Sequence, residues 1–326
     1  MTPNLPAPLR LAADRLMEGV ARAGVAERAD KISQAYRAGR SSAAVIKDAE
    51  DAQAYVLARL PATYAACARA FDEAARIAPD FRPLSLLDAG AGPGGAGWAA
   101  LETWSSLDRA VLLDSNRAFL AMAGTLAEGG PEALALAERR VADLAQPKDW
   151  PVADLVVASY ALAEIAPAAQ AATVAGLWAV CAGLLVLVEP GTPDGYARIL
   201  AARDLLIAQG AQILAPCPHA QACPLVAPDW CHFVQRLPRS RDHKLAKGAD
   251  APFEDEKFIY LAAAQPHVAA LARTARVIAP ARTLKPAITL KLCTPEGAME
   301  HRDFPRRDKP TYASVRRLDW GDTLES

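Results

Sequence analysis

Runs of strand length alternate with stretches of helical periodicity through the middle of this chain. The strand-like runs cover residues 84–88, 111–114, 154–158 and 184–189, and helical patterns cover residues 117–126 and 196–209. Parallel strands cannot be joined by tight turns, so they need crossover segments, which are usually helices. The alternation therefore predicts an α/β fold with a doubly wound, mostly parallel, Rossmann-like sheet.

The sequence on either side of this alternation has a different character. Residues 1–80 show apolar positions at helical spacing and predict a helical N-terminal module. Strand-like runs at residues 257–262, 275–278 and 288–292 predict a closing sheet or a small β module. The predicted domains are a Rossmann-like domain over residues 81–212, a cysteine-containing insertion over 213–250, and closing strands with a basic tail over 251–326.

Composition and length limit the class of protein. The chain has 326 residues, of which 52% are hydrophobic, and a formal net charge of -1, which is typical of a globular protein with a large core. The longest apolar run, residues 183–188, is too short to cross a membrane. Because we find no secretory signal, we expect a reducing, cytoplasmic environment.

A glycine-rich loop follows the first predicted strand. It reads Asp88-Ala-Gly90-Ala-Gly92-Pro-Gly94-Gly95. Its G-x-G-x-x-G spacing is compatible with a dinucleotide pyrophosphate at a helix N-terminus, with Asp114 on the ribose. Asp88, the acid that ends the strand just before this loop, favours S-adenosylmethionine instead, because a carboxylate suits the cationic methionine end of that molecule. A glycine-rich turn without a ligand is the third interpretation.

The loop resembles motif I of the class I S-adenosylmethionine-dependent methyltransferases. In this chain the motif comprises Asp88, Gly90, Gly92 and Gly94. Asp114 closes the second predicted strand, where it could accept hydrogen bonds from both ribose hydroxyls. Asp143 follows the third strand, where such enzymes often place an acid near the adenine amino group. The resemblance implies a class I methyltransferase fold and a methyl-donor pocket built from these residues.

The sequence does not reveal a catalytic residue. Amino-group methyltransferases that act on a base often carry an Asn-Pro-Pro-Tyr-like run after the fourth strand, whereas this chain has Ala158-Ser159-Tyr160-Ala161-Leu162. Cytosine-C5 methyltransferases need a thiol nucleophile, but Cys181 lies in an apolar, helix-like stretch without a preceding proline. Tyr160 and Glu164 could face the donor methyl group, and each is equally suited to capping or packing.

Three of the six cysteines lie close together in a proline-rich segment. Cys217, Cys223 and Cys231 have the spacing C-x5-C-x7-C, and the prolines between them prevent a continuous helix or central strand. Polarisable thiolates favour soft metals and iron–sulfur clusters, yet the spacing matches neither zinc knuckles nor bacterial ferredoxins. The candidates for a fourth ligand are Cys293, which we favour, His219 and His232. Cys67 and Cys181 are expected to be ordinary buried residues in helices.

Two stretches are rich in basic residues. Residues 236–247 contain five Lys or Arg against one Asp, and residues 302–317 contain six against two. Local basic patches on a nearly neutral chain favour contact with a polyanion. A solvated charged surface is the alternative explanation.

The order of these features resembles a family of methyltransferase-like proteins that assemble the small ribosomal subunit, mitochondrial in eukaryotes and with bacterial relatives. The matching residues are Tyr64 within residues 59–64, the loop from Asp88 to Gly94, Cys217-Pro-His219, Cys223-Pro-Leu225, Trp230-Cys231-His232-Phe233, Gln235-Arg236 and Trp320-Gly321-Asp322. The match for Cys293 rests on a short Leu-Cys-Thr run.

This resemblance implies that the protein sits on small-subunit ribosomal RNA and that four cysteines hold a [4Fe–4S] cluster. The implied cluster ligands are Cys217, Cys223, Cys231 and Cys293, with zinc as the alternative metal. The implied methyl-donor residues include Asp88, Gly90, Gly92 and Asp114. The basic stretches become candidate phosphate contacts, namely Arg236, Arg239, Arg241, Lys244, Arg306, Arg307, Arg316 and Arg317.

The expected function is therefore that of an S-adenosylmethionine-dependent methyltransferase-like protein, which acts on or binds small-subunit ribosomal RNA and carries a [4Fe–4S] cluster. Two alternatives stay open. The first is a non-catalytic RNA-binding assembly factor, because a fold does not by itself imply methyl transfer. The second is a small-molecule methyltransferase with a structural zinc ion.

Overall fold

The computed structural model describes residues 4–37, 40–248 and 250–324. The helices are α1 (Ala7–Arg15), α2 (Arg22–Arg37), α3 (Ser42–Val45), α4 (Ala49–Ala58), α5 (Leu60–Ile77), α6 (Gly95–Thr103), α7 (Arg117–Ala127), α8 (Glu132–Ala135), α9 (Pro167–Ala179), α10 (Pro193–Ala208), α11 (Arg241–Lys247) and α12 (Lys309–Val315). None of the helices in these ranges combines the length and apolarity needed to cross a bilayer.

The strands form two sheets within the described ranges. They are β1 (Ser85–Ala89), β2 (Arg109–Asp114), β3 (Glu138–Val141), β4 (Ala153–Ser159), β5 (Cys181–Pro190), β6 (Gln212–Ala215), β7 (Phe233–Pro238), β8 (Phe253–Ala264), β9 (Ala275–Val277), β10 (Arg282–Thr283), β11 (Ala287–Cys293), β12 (Met299–Pro305) and β13 (Thr323–Leu324).

The larger sheet has the strand order β3-β2-β1-β4-β5-β8-β6, and β7 pairs with β8 as well. The strands from β3 to β5 are mutually parallel, whereas β8 runs antiparallel to β5, β6 and β7. Every residue of β1 is buried, as expected for a central strand covered on both faces. The strand order confirms the predicted doubly wound α/β fold.

Asp154 joins the amino ends of β1 and β4. Its Oδ2 accepts hydrogen bonds from the backbone N–H groups of Leu84 at 2.9 Å and Ser85 at 3.0 Å, and from Ser85 Oγ at 2.9 Å. These bonds fix the register of the two strands at their amino ends. The glycine-rich loop lies at the opposite, carboxyl end of β1.

The larger sheet crosses the domain boundary predicted at residue 212. Both β6 and β8 continue the sheet formed by β1 to β5, and the cysteine segment, β7 and α11 are inserted between them. Pairing between strands that are distant in sequence leaves no local periodicity, so the sequence pattern did not show it.

The predicted position of Cys181 in a helix is wrong. Cys181 is the first residue of β5, and α9 ends two residues earlier at Ala179. A short apolar run fits a buried strand and a buried helix equally well, so periodicity alone cannot distinguish them.

The second sheet has the order β10-β11-β9-β13, with β12 paired to β11. Its apolar core consists of Val277, Ile288, Leu290, Leu292, Phe304 and Val315. α12 covers this core, and β11 alternates between buried and half-buried residues because one of its faces packs there. This module confirms the predicted β-rich C-terminal region.

The described N-terminal residues are helical, as predicted. α5 packs against α6 and β8, and α4 packs against α7. Asp48 caps α4 by accepting a hydrogen bond from Asp51 N at 2.9 Å. The N-terminal helices therefore pack directly on the Rossmann-like sheet and its helices.

A buried arginine on β9 joins three distant parts of the chain. Arg276 Nη1 lies 2.6 Å from Glu73 Oε2 on α5 and also donates to Gly321 O at 2.6 Å, while its Nε donates to Pro216 O at 3.1 Å. Arg276 is 3% exposed and Glu73 6%. Burial alone would raise the pKa of Glu73, but Arg276 and the neighbouring arginines outweigh burial and lower it.

Replacing Arg276 with Met should destabilise the protein by about 3–5 kcal/mol, because Glu73 would be left buried without its cation. The control is Arg109→Met, which removes an exposed arginine paired with Asp108 at 3.4 Å. Exposed pairs are worth about 0–1 kcal/mol. Urea unfolding measures both variants, and equal losses would contradict a structural role for the buried pair.

Candidate functional site

The glycine-rich loop lies between the carboxyl end of β1 and the start of α6. Gly90, Gly92 and Gly94 all have positive φ, at 77°, 54° and 88°. A Cβ atom on Gly90 would lie 2.6 Å from Ala161 Cβ, so this position has no room for a side chain. The loop therefore brings bare backbone to the carboxyl edge of the sheet, where ligands bind in doubly wound folds.

Asp88 lies beneath this loop and is fully buried. Its Oδ2 accepts a hydrogen bond from Gly97 N on α6 at 3.2 Å, whereas its Oδ1 is buried without a partner in the part of the chain that the structure describes. Burial raises the pKa of Asp88 to about 7. A buried acceptor without a partner fits a hydrogen-bond donor on a bound ligand.

Asp114 joins the end of β2 to the glycine-rich loop. Its Oδ2 accepts from Gly92 N at 2.8 Å, and its Oδ1 accepts from Asn116 N at 2.7 Å. Burial raises the pKa of Asp114, although these backbone hydrogen bonds oppose the rise. Each carboxylate oxygen can accept more than one hydrogen bond, so both can still bind hydroxyl groups.

Asp143 also follows a strand of this sheet, but its side chain is engaged locally. It is exposed, and its carboxylate accepts from Ala145 N at 2.9 Å and from Gln146 Nε2 at 3.1 Å. The next residue, Leu144, is the one that approaches Gly90, with its Cδ1 3.3 Å from the position of a Cβ there. The structure thus brings Asp88, Asp114 and the glycines together. The Asp143 carboxylate instead accepts hydrogen bonds from the two residues that follow Leu144.

The N-terminal region covers the same edge of the sheet. Ser42, through its N at 2.8 Å and its Oγ at 2.6 Å, donates to Glu164 Oε2. Asn116, the N-cap residue of α7 after β2, donates from its Nδ2 to Ile46 O at 2.9 Å. The Glu164 carboxylate is therefore held by Ser42, and residues 42–46 span the ends of β2 and β4.

Tyr160 follows β4 with a φ of 57°, which is unusual for a residue other than glycine. Its hydroxyl donates to Glu256 Oε1 on β8 at 2.8 Å. Burial raises the pKa of Tyr160 well above its ordinary value, and the nearby Glu256 adds to the shift. Tyr160 and Glu164, which the sequence suggested could face a donor methyl group, are thus both already hydrogen-bonded within the protein.

The four predicted metal ligands line a single cavity of about 40 Å³ between α10, β8 and the second sheet. Cys217, Cys223 and Cys231 come from the inserted segment, and Cys293 is the last residue of β11. All four are free thiols. Among the described residues, no group of three or more His, Cys, Asp or Glu side chains is arranged to hold a metal ion. The four thiols nevertheless line one cavity, although they come from the inserted segment and from β11.

The alternative ligands differ in position. His219 is buried, lines the same cavity, and has its Nε2 3.3 Å from Cys293 Sγ. His232 lies between two tryptophans, stacked on Trp230 at 5.2 Å and edge-on to Trp320 at 4.5 Å. His219 is therefore close to the sulfurs, whereas the His232 ring packs in an aromatic cluster.

The cavity has a cationic and hydrogen-bonding wall. Arg203 is 2% exposed, donates to His219 O at 2.9 Å and Gln221 O at 2.7 Å, and has a buried Nε without a partner among the described residues. Burial raises the pKa of the Cys217 thiol, while Arg203 and Arg276 oppose that rise. Two buried guanidinium groups beside four thiols fit an anionic, thiolate-bound group.

Comparisons with known proteins identify the family. The sequence profile described as "Mitochondrial small ribosomal subunit Rsm22" matches residues 49–325. This chain belongs to the Rsm22 family. It is 30% identical over 289 residues to the human ribosome assembly protein METTL17, mitochondrial. The match covers 83% of this chain and 61% of the human protein. The predicted membership in a methyltransferase-like small-subunit assembly family is confirmed.

Solved structures similar to this Rsm22-family chain include methyltransferases of low sequence identity. An O-methyltransferase family protein from Burkholderia thailandensis is 12% identical with a TM-score of 0.42, and the match covers 57% of this chain and 64% of that protein. Precorrin-6y C5,15-methyltransferase from Geobacter metallireducens is 14% identical with a TM-score of 0.40, covering 61% and 86%.

The first basic stretch of the Rsm22-family chain is largely neutralised by β8. Arg236 forms a two-point pair with Asp255, at 2.7 and 2.8 Å, and stacks over the Phe253 ring at 4.2 Å. Arg239 lies 3.3 Å from Glu254. Arg241 and Lys244, on α11, have no ion pair among the described residues, and Arg241 is exposed.

In the second basic stretch Arg302 pairs with Glu300, whereas the four predicted phosphate contacts have no acidic partner within the described ranges. Arg306, Arg307, Arg316 and Arg317 are exposed and flank α12 on both sides. Arg306 lies over the Tyr312 ring at 5.6 Å, and none of the four has an ion pair within the described ranges. The structure therefore divides the eight predicted phosphate contacts into paired and unpaired groups.

Sequence reasoning missed several residues that shape these sites. Asn116 accepts from Ala118 N and Phe119 N at the start of α7, and an Asn just before a helix is a recognisable N-cap signal. Tyr196, Arg203 and Arg276 reach the cysteine cavity from α10 and β9. No sequence signal marks these three, because their elements are brought together only by tertiary packing.

The Gly90→Ala substitution should destabilise the protein more than Gly129→Ala. Both glycines have positive φ, 77° and 71°, but a Cβ on Gly129 meets nothing within 4 Å. Both variants carry the backbone strain, and the collision with Ala161 should add about 1–3 kcal/mol at Gly90. Thermal unfolding of the two variants tests this, and equal losses would mean that the loop can move away from Ala161.

Proposed function

We propose that this Rsm22-family chain binds S-adenosylmethionine, acts on or holds the RNA of the assembling small ribosomal subunit in the cytoplasm, and carries a [4Fe–4S] cluster. The observation that carries the proposal is the family match over residues 49–325, together with 30% identity to a human ribosome assembly protein. This chain spans 61% of the length of that human protein, so its activity is proposed here and is tested by the experiment below.

The loop geometry supports S-adenosylmethionine as the ligand. Asp114 is fixed against Gly92 N at the end of β2 and keeps free lone pairs for ribose hydroxyls. The unpartnered Oδ1 of Asp88 can accept from the cationic methionine amine. Glycine at position 90 allows the ligand to approach the backbone, since a side chain there would meet Ala161.

The lining of the cysteine cavity supports a thiolate-bound group. Four thiols around a cavity with two buried arginines fit an anionic cluster. Cys217, Cys223, Cys231 and Cys293 would hold it, and a bound cluster would supply an anionic cross-link between the inserted segment and β11.

The unpaired arginines around α12 support an RNA contact. Phosphate contacts require cations that are not already neutralised, and Arg306, Arg307, Arg316 and Arg317 have no ion pair within the part of the chain that the structure describes. Arg236 and Arg239 would have to leave Asp255 and Glu254 first. We therefore assign the main phosphate-binding surface to α12 and its flanks.

The central experiment measures transfer of labelled methyl from S-adenosylmethionine to small subunits from cells that lack this protein. The protein is purified anaerobically, and co-sedimentation is recorded in the same samples. We expect co-sedimentation and label in the RNA. Co-sedimentation without label would identify a non-catalytic assembly factor, and the absence of both would overturn the proposal in favour of a small-molecule methyltransferase.

Asp114→Ala should weaken binding of S-adenosylmethionine by about 1–3 kcal/mol, because hydrogen bonds to the ribose are lost. The control is Asp154→Ala, which removes an aspartate that also accepts from two backbone N–H groups, but at the opposite edge of the sheet. Calorimetric titration should show a loss of affinity for the Asp114 variant alone. Equal affinities in both variants would mean that the binding pocket lies elsewhere in the protein.

Cys223→Ser should lower the iron content and the absorbance near roughly 400 nm of anaerobically purified protein, and it should also lower stability, because metal-binding free energy contributes to folding. Cys181→Ser is the matched control, since Cys181 is also a free cysteine but starts β5, outside the cavity. A colourless wild-type protein with stoichiometric zinc would refute the cluster.

The double substitution of Arg316 and Arg317 by Ala should weaken RNA binding. It should also reduce the dependence of log K on log salt by about 0.7–0.9 for each phosphate group that is no longer neutralised. Arg236→Ala is the control and should have a smaller effect, because Arg236 is already paired with Asp255. Affinities measured over a salt series test this, and a larger effect of Arg236→Ala would relocate the RNA surface to α11 and β7.

A further inference from the structure

Hydrogen-bond donors face the sulfurs of the cysteine cavity. We propose that Tyr196 and His219 are positioning residues that donate hydrogen bonds to the sulfurs of Cys223 and Cys293 and thereby raise the reduction potential of the bound cluster. This inference rests on the cluster of the proposed function. It adds a role for two residues that are not themselves ligands.

The Tyr196 contact is held by the start of α10. Tyr196 Oη donates to Cys223 Sγ at 3.2 Å. Thr192 caps the helix by accepting from Gly195 N at 3.1 Å, and Tyr196 N donates to Thr192 O at 2.9 Å. Because this first turn is fixed by backbone and capping hydrogen bonds, the hydroxyl is directed at the sulfur by the helix itself.

The His219 contact is held by Arg203. His219 Nε2 lies 3.3 Å from Cys293 Sγ. A thiolate that binds a cluster can only accept a hydrogen bond, so the proton must be on Nε2 in the loaded protein. Arg203 fixes the backbone of this loop by donating to His219 O at 2.9 Å and to Gln221 O at 2.7 Å.

One face of α10 supports both hydrogen bonds to sulfur. Tyr196, Ile199, Leu200 and Arg203 all line the cavity from α10, at the spacing that places residues on one side of a helix. Tyr196 contacts one sulfur directly, and Arg203 holds the loop that carries His219. The wall of the cavity that faces these sulfurs is therefore built on a rigid element.

The direction of the effect follows from charge. A reduced cluster and its thiolates carry one more negative charge than the oxidised form, so hydrogen bonds to sulfur stabilise the reduced form more strongly. Hydrogen bonds to the sulfurs are one of the factors that set iron–sulfur potentials. Removing such a bond should therefore make the potential more negative.

The test is Tyr196→Phe, which removes the hydroxyl alone. Tyr260→Phe is the matched control, because Tyr260 lines the same cavity but makes no hydrogen bond to a sulfur among the described residues. Each full-length protein is purified anaerobically and titrated with dithionite and redox mediators. At a fixed potential near the midpoint, Tyr196→Phe should lower the ratio of reduced to oxidised cluster by about two- to tenfold, and Tyr260→Phe should not.

His219→Leu and His219→Gln provide a second comparison. The leucine variant should shift the potential in the same direction as Tyr196→Phe, and the glutamine variant, which keeps an N–H donor, should restore part of the shift. Unchanged potentials in Tyr196→Phe and His219→Leu, with normal iron content, would overturn this inference and leave the cluster in place. Wild-type protein without iron would instead overturn the proposed cluster.

Discussion

The buried pair of Arg276 and Glu73 is the interaction on which the arrangement of this molecule depends. Arg276 is on β9 of the second sheet, Glu73 is on α5, and the same guanidinium group donates to Pro216 O and Gly321 O. It therefore fixes the second sheet, the N-terminal helices, the start of the cysteine segment and the C-terminal residues at one point. Because the pair is buried, losing either partner leaves an uncompensated charge. Cys217, which directly follows Pro216, is positioned by this junction.

The two candidate sites share the strands and helices of one sheet. The glycine-rich loop site uses the carboxyl ends of β1 and β2, where bare glycine backbone meets Asp88 and Asp114. The cysteine cavity lies where α10 and β8 meet the second sheet. α10 directly follows β5 and also lines the cavity. A shift of this helix would therefore move residues at both the end of β5 and the cavity wall.

Charge is distributed unevenly over this scaffold. Acidic residues of β8 neutralise Arg236 and Arg239, and Glu254 is also contacted by His243 at 3.2 Å and by Lys247. Burial alone would raise the pKa of Glu254, but the neighbouring His243 and Lys247 hold it well below its usual range. This network stabilises the inserted segment internally. The arginines around α12 have no equivalent acidic partners in the described ranges, so their positive potential reaches solvent.

The sequence alone determined the alternating α/β fold, the glycine-rich loop and the group of cysteines, because these depend on local periodicity and spacing. The N-cap at Asn116 was also readable in principle. Tertiary structure decided which distant strands pair, so that β8 completes the Rossmann-like sheet and Cys181 starts β5. It also decided that Cys293 lines the same cavity as the inserted segment and that the Asp143 carboxylate bonds within its own turn. It further decided that Arg236 is ion-paired, whereas Arg316 has no ion pair within the described residues. These outcomes depend on contacts between residues far apart in sequence, which leave no local pattern.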